Sequence, residues 1–253
     1  MTDSVFYDEL ADSWWDQDGF LHGIGTLLNP VRVPYIERVL RDIAGGPGDR
    51  RALDIGCGGG LFAEPLSALG MAVTGVDASV RSLVAGRDHG DVVEYVGAIA
   101  DRLPFADGTF DIAVAMEILE HVEDPGSVVV EAARVLRPGG IFFFAGPSRT
   151  RLSRLVLIDF AQRWRWSAVL PRDLHRWESF ITPSEMSSML GNSGIVTQET
   201  IGLGLEWGGL PAAMRAYRLL RRGRIGHGEA GRRVRLTSRR STKIAYMGYG
   251  IKD

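Results

Sequence analysis

The sequence predicts an α/β protein built on an open, mainly parallel sheet. Three observations carry that expectation. Short apolar runs recur between residues 51 and 146, helical patterns separate them, and glycine-rich turns close the junctions. Strands that alternate with helices in this way pair in parallel, joined by right-handed crossovers.

The clearest strand is RALDI (51–55), followed by the turn GCGGG and a helical pattern in LFAEPLSALG. MAVTGVD (71–77) is a second short strand, ending in an acid, and VVEYVG (92–97) is a third. The turn LPFADGTFD (103–111) leads into the strand IAVAM (112–116). A helix is expected through PGSVVVEAARVL, stopped by RPGG (137–140), before the strand IFFFAG (141–146). Gly70 and Gly139 frame two of the helical segments as stops. IAYMGYG reads as a last strand. The chain reads as one domain over 1–253, with a helical N-terminal part (1–45), a ligand-binding core (46–148), an amphipathic insertion (149–180) and a C-terminal part (181–253).

With 253 residues, 45% hydrophobic and 24% charged, the chain is long enough to bury a core and has ordinary globular composition. No apolar run reaches membrane-spanning length, the acidic start MTDSVFYDEL is unlike a signal peptide, and the single cysteine, Cys57, suits a reducing cytoplasm. The net charge of −2 conceals a split: residues 1–148 carry 10 basic and 23 acidic side chains, residues 149–253 carry 19 and 8. Either the second half meets an anionic surface or substrate, or the two halves complement each other within one fold.

In an open parallel sheet, ligands bind at the carboxyl ends of the strands. LDIGCGGG lies at such an end, and glycines at 56, 58, 59 and 60 let backbone approach a ligand closely. Asp77, at the end of the next strand, can accept both hydrogens of a ribose diol. Loop and acid together define a nucleoside pocket. A dinucleotide would want G-x-G-x-x-G, but the third glycine position, counted from Gly56, is Leu61. The alternative is S-adenosylmethionine (SAM), which has no phosphates.

LDIGCGGG, GVD, LPFADGTFD and RVLRPGG, in that order, resemble the motif series of class I SAM-dependent methyltransferases. That likeness implies a Rossmann-like seven-stranded sheet with helices on both faces, an N-terminal helical cap and an inserted lid. WWDQDGFLHGIGTLLNPVRVPYI (14–36), MEILEH (116–121), DLHRWESFITP (173–183) and STKIAYMGYGIKD further resemble the ubiquinone-biosynthesis O-methyltransferases, which methylate a phenolic oxygen on a prenylated ring. The likeness weakens across 184–240, so a specialised metabolite is as good an acceptor as a quinone precursor. It implies SAM contacts at Arg32, Asp54, Gly56, Cys57, Gly58, Asp77, Ala78, Ala100 and Met116. Arg32 suits the methionine carboxylate, or a salt bridge closing the N-terminal helix over the domain. Where many relatives place an aspartate for the adenine amino group stands Ile99, leaving apolar packing and the Ala100 N–H for adenine. The motifs leave other readings open: an N- or C-methyltransferase, or a SAM-binding protein without turnover.

Glu117, Glu120 and His121 fall in MEILEHVED. If 117–121 is helical, the three share one face and can hold a divalent cation, Mg²⁺ foremost, and the family likeness implies such a dependence. The plainer reading is acids at a helix start. Without metal, His121 or His175, with Glu120 beside them, is the expected general base. His22, His89 and His227 receive no role.

In RTRLSRLVLIDFAQRWRWSAVL (149–170), Leu152, Leu155, Val156 and Phe160 recur at helical spacing, with Trp164 and Trp166 among arginines. The segment reads as a lid packing that stripe on the core, or as a peripheral membrane contact, as the family likeness implies. The arginine-rich stretch 218–240 lacks interleaved aromatics and any nucleic-acid module signature. It reads as a mobile, solvated loop. The expected partner is a small aromatic substrate and no nucleic acid; nothing in the sequence speaks to oligomeric state.

Overall fold

The computed structural model describes residues 3–165, 167–172 and 174–253; Trp166 and Asp173, both in stretches singled out above, lie outside them. Eight strands of the described residues form one sheet: β1 (Arg51–Ile55), β2 (Ala72–Asp77), β3 (Val93–Gly97), β4 (Phe110–Met116), β5 (Leu136–Pro147), β6 (Ile195–Leu205), β7 (Leu236–Arg239) and β8 (Ala245–Lys252). Their order is β3-β2-β1-β4-β5-β8-β6-β7. β1 to β5 pair in parallel, while β8 runs antiparallel between β5 and β6. The expected seven strands become eight because β7 adds to the outer edge of β6.

Both faces of this sheet are covered, which explains why its strands are continuously apolar rather than alternating. On one face, helix α2 (Phe20–Ala44) and helix α3 (Ala63–Ala68) bring Ile36, Val39, Leu40 and Leu66 onto Val73, Ile112 and Phe143. On the other, α5 (Pro125–Val135) and α7 (Pro183–Asn192) bring Val128, Ala132, Met186 and Leu190 onto Leu53, Ala113 and Phe142. Ile112 and Ala113, or Phe142 and Phe143, thus serve opposite cores, as period-2 side-chain alternation requires. A short helix, α4 (Val80–His89), follows β2 and is capped by Ser79, whose hydroxyl accepts from the Ser82 N–H.

Two of the sequence motifs hold one another. Glu131 and Arg134, in the α5 segment that runs into RVLRPGG, clamp the LPFAD turn. The Leu103 N–H donates to Glu131 at 2.8 Å, and the Arg134 guanidinium donates to the carbonyls of Leu103 and Phe105 and to Asp107. A second pair of bonds ties Arg134 to Glu131 itself.

Residues 218–240 are not the mobile loop expected. They contain the end of α8 (Leu210–Arg221), all of α9 (His227–Arg233) and β7. Small residues allow this: Gly228, Ala230 and Gly231 of α9 are buried against α2, where the Thr26 hydroxyl donates to the Gly228 carbonyl. The insertion is also ordered, as a short helix α6 (Arg151–Ser153) running into a π-helix (Arg154–Arg163). Its expected inward stripe faces out: Leu152, Leu155 and Phe160 are exposed, and Ile158 and Gln162 are buried instead.

Replacing Arg134 with Ala leaves the carbonyls of Leu103 and Phe105 and the Glu131 carboxylate short of partners. Arg134 is partly exposed and Asp107 lies at the surface, so this set of charged hydrogen bonds is worth about 1–2 kcal/mol. Urea unfolding of Arg134→Ala is therefore expected to show that loss; an unchanged midpoint would remove the clamp from the account.

Candidate active site

The sheet order turns back between β1 and β4, and the chain leaves both strands at the same edge. Such a reversal leaves a crevice that neither crossover helix covers. The predicted glycine loop and the acid–imidazole segment meet there. Ile118 sits on Gly56 so closely that a Cβ at Gly56, which has φ 74°, would fall 2.6 Å from its side chain.

The loop's amide hydrogens are largely engaged within the protein. Gly56 and Cys57 both donate to the Val76 carbonyl, and Gly58 donates to Asp77 at 2.8 Å. These N–H groups are therefore not turned outward as a phosphate cradle. What Gly58 presents instead is a bare Cα: Trp14 packs on it, and a Cβ there would meet the indole at 2.1 Å. The neighbouring Trp15 indole N–H donates to the Gly59 carbonyl. Asp77 also accepts from the Ser79 N–H at 2.7 Å. A carboxylate offers about four acceptor positions, so capacity for a diol remains. Burial raises the Asp77 carboxyl, and the N–H groups of Ser79, Gly58 and Ala78 hold the rise back.

Asp54 is fully enclosed at the end of β1, with Oδ2 bonded to nothing among the described residues. Burial first, and then the nearby Asp77, push its carboxyl up to about 8, with Arg32 opposing. Met116 is buried at the end of β4, Ala78 is exposed and Ala100 half-buried beside the exposed Ile99. Cys57 points its sulfur into β2, where a Cβ on Gly75 would be 2.7 Å from it, so its thiol serves packing. Burial raises that thiol well above its ordinary range.

The premise that residues 117–121 form one helical face does not hold. Glu117 takes the left-handed conformation (φ 57°), alone among the described non-glycine residues, and only Leu119–His121 form a 3₁₀ turn. The acid that starts a helix here is Asp124, which caps α5 by accepting from Gly126 and Ser127. A left-handed residue with a Cβ costs roughly 1–2 kcal/mol. The carboxylate of Glu117 turns to Arg32 and forms an ion pair with its buried guanidinium. Arg32 thereby ties α2 to the end of β4, as the salt-bridge alternative for this residue anticipated.

Glu117 thus pairs with Arg32 while staying against Glu120, and the third member of the ligand-like group is His175 rather than Glu117. Ligand atoms of Glu120, His121 and His175 all lie within 4.8 Å of one another, and the two imidazole rings are 5.2 Å apart. Glu120 is buried with Oε1 unbonded among the described residues. Desolvation and the Glu117 carboxylate hold its carboxyl well above the ordinary range. Three residues join the site without having been predicted there. The Tyr7 hydroxyl lies 3.2 Å from His121 Nε2, Trp14 covers the glycine loop, and Gln162 holds the backbone of His175. The paired tryptophans before α2 were a readable signal for Trp14. Gln162 had none, being one polar residue in an amphipathic pattern.

A family described as a methyltransferase domain matches residues 53–144. A ubiquinone biosynthesis O-methyltransferase of Methylobacterium nodulans is 35% identical over 213 residues, covering 78% of this chain and 82% of its own. One from Xanthomonas oryzae pv. oryzae is 33% identical over 249 residues, covering 96% and 90%. A SAM-dependent methyltransferase from Thermotoga maritima superposes over 100% of this chain and 99% of its own with a TM-score of 0.63, at 20% identity, and so shares the fold. With the motif order, the bare glycine loop and two relatives matched over most of their length agreeing, the chain belongs to the ubiquinone biosynthesis O-methyltransferase family of SAM-dependent methyltransferases.

Proposed function

We propose that this enzyme methylates a phenolic oxygen of a catechol or hydroquinone ring, and that the acceptor binds against Glu120, His121 and His175. The observation that carries the reading is the convergence of those three side chains beside the glycine loop. The relatives' shared name supports the acceptor class. The residues at the sheet edge suit SAM: a glycine surface without outward amides, Asp77 for the ribose, and buried acids for a cationic amino acid. SAM supplies a sulfonium-bound methyl group. In this reading Arg32, already paired with Glu117, meets the methionine carboxylate, and Met116 and Ala100 contact the adenosine.

In-line displacement at a methyl group asks chiefly for positioning of the acceptor oxygen. A free phenol, with a pKa of about 10, must also lose its proton. His121 and His175 are the groups to take it. Glu120 with the two histidines also fits a divalent cation, Mg²⁺ foremost: the donors are close, mixed nitrogen and oxygen, and include a buried carboxylate oxygen with no bond partner. When bound, such an ion stabilises a phenolate as a Lewis acid.

We further propose that the enzyme works in the cytoplasm against the membrane surface. No helix among the described residues is long and apolar enough to cross a bilayer. The outward residues Leu155, Phe160 and Trp164 of the insertion run on to α8 through the Phe160–Tyr217 ring contact at 5.8 Å. There Leu210 and Met214 are exposed, Trp207 is 91% exposed, and the same segment carries the exposed Arg215, Arg218, Arg222 and Arg224. Apolar and aromatic groups set among arginines suit an anionic bilayer interface. A cleft of about 380 Å³ beside this surface, lined by Phe20, Val169, Leu170, Pro171 and Leu220, is large enough for an apolar tail.

Three measurements test these readings. Radiolabelled methyl transfer from SAM to catechols, with and without prenyl tails, should be seen with wild type and fall by about 10²-fold or more in His121→Ala. It should also fall on chelation with EDTA and recover with Mg²⁺; activity indifferent to EDTA would leave the imidazoles as base alone. Because Asp54 is held protonated by the fold, the folded state binds an extra proton between pH 4 and about 8, so stability declines as pH rises through that window. Asp54→Asn should flatten that decline in thermal melts. The protein should sediment with anionic vesicles and not with neutral ones, and Trp164→Glu with Trp207→Glu should abolish this; wild type remaining in the supernatant would end the membrane reading.

A further inference from the structure

Gln162 lies in the π-helix of the insertion, is only 3% exposed, and uses both ends of its carboxamide on one residue. Its Nε2 donates to the His175 carbonyl at 2.9 Å, and its Oε1 accepts from the His175 N–H at 3.0 Å. The carboxamide therefore stands in for a strand partner, satisfying the donor and the acceptor of one residue in a stretch whose described residues, 168–172 and 174–176, belong to no helix or strand. On its other side, His175 meets Phe180 edge-on at 5.6 Å, and Phe180 is fully buried. His175 is thus held by the insertion through its backbone and by the core through its ring.

We infer that Gln162 is a positioning residue for methyl transfer: its carboxamide holds the His175 backbone so that the imidazole stays beside His121 and Glu120. The inference deepens the function proposed above and rests on His175 belonging to that site. Backbone placement matters here because His175 arrives from a loop, whereas Glu120 and His121 follow directly from β4. A loop histidine not held at its backbone samples many positions, and each lost ångström of alignment is expensive in rate. Only glutamine fits both roles at this reach. Glutamate can accept the N–H but cannot donate to the carbonyl, and alanine does neither.

The test is a series on the full chain. Gln162→Ala should lower kcat at saturating SAM by about 10²-fold, the effect of roughly 1 Å of misplacement, while the SAM dissociation constant from calorimetry stays within about twofold. Gln162→Glu should fall between Ala and wild type. In a His175→Ala background, Gln162→Ala should have no further effect on kcat, because its influence passes through the missing imidazole. Hydrogen exchange of the peptide containing the His175 amide should be slow in wild type, fast in Gln162→Ala and intermediate in Gln162→Glu. Additive losses in the double variant, or equal loss of SAM affinity and kcat, would overturn the inference, and so would unchanged exchange. Should wild type methylate no phenol, the acceptor reading fails alone; the exchange series still decides the clamp.

Discussion

The site depends on one constraint of parallel sheets: where strand order reverses, the chain leaves two neighbouring strands in opposite directions and uncovers the edge between them. Here that edge lies between β1 and β4. The loop after β1 must clear the turn after β4, and the contact of Ile118 on Gly56 shows how little room there is. A side chain at position 56 would push the acid–imidazole turn away from the end of β1. The glycine loop therefore does two things at once, receiving Trp14 on Gly58 and Gly59 and Ile118 on Gly56.

The turn after β4 is held by charge. Glu117 adopts a backbone conformation that a residue with a Cβ normally avoids, and the buried Arg32 pairs with it. This turns the Glu117 carboxylate towards α2 and leaves Glu120 and His121 at the crevice. A consequence is electrostatic. Three carboxyl groups, Asp54, Asp77 and Glu120, share this edge with raised proton affinities, in each case chiefly through burial. An acid-lined crevice of that kind disfavours anionic ligands and favours cationic ones, which agrees with a sulfonium donor rather than a dinucleotide.

The outer elements contribute by reaching inward. α1 (Asp3–Leu10) and the tryptophans that follow lie over the crevice, with Tyr7 on His121, Asp8 accepting from Ser79, and Trp14 donating to Ser82. The insertion presents its apolar residues outward and grips His175 from within. Cap and insertion thus meet the same imidazole pair from two sides.

Much of this was legible in the chain. Continuous apolar runs located β1 to β5 because both faces of a parallel sheet are buried, and the glycine loop was readable because the contacts of Ile118 on Gly56 and of Trp14 on Gly58 leave no room for a Cβ. The eighth strand and α9 were hidden, since arginine-rich, glycine-rich sequence looks solvated until Gly228 and Gly231 find α2 to pack on. Glu117, Glu120 and His121 were adjacent in sequence and so seemed a unit. Adjacency does not decide direction, and a single left-handed residue turned Glu117 to Arg32 and left the place to His175, 58 residues beyond Glu117 (175 − 117). By itself the sequence determined the parallel part of the sheet, the glycine turn after β1 and the types of chemical group available, all of which follow from local pattern. Only the tertiary structure decided which imidazole stands beside Glu120, because the path of a loop is set by distant partners such as Gln162 and Phe180 that no local pattern encodes.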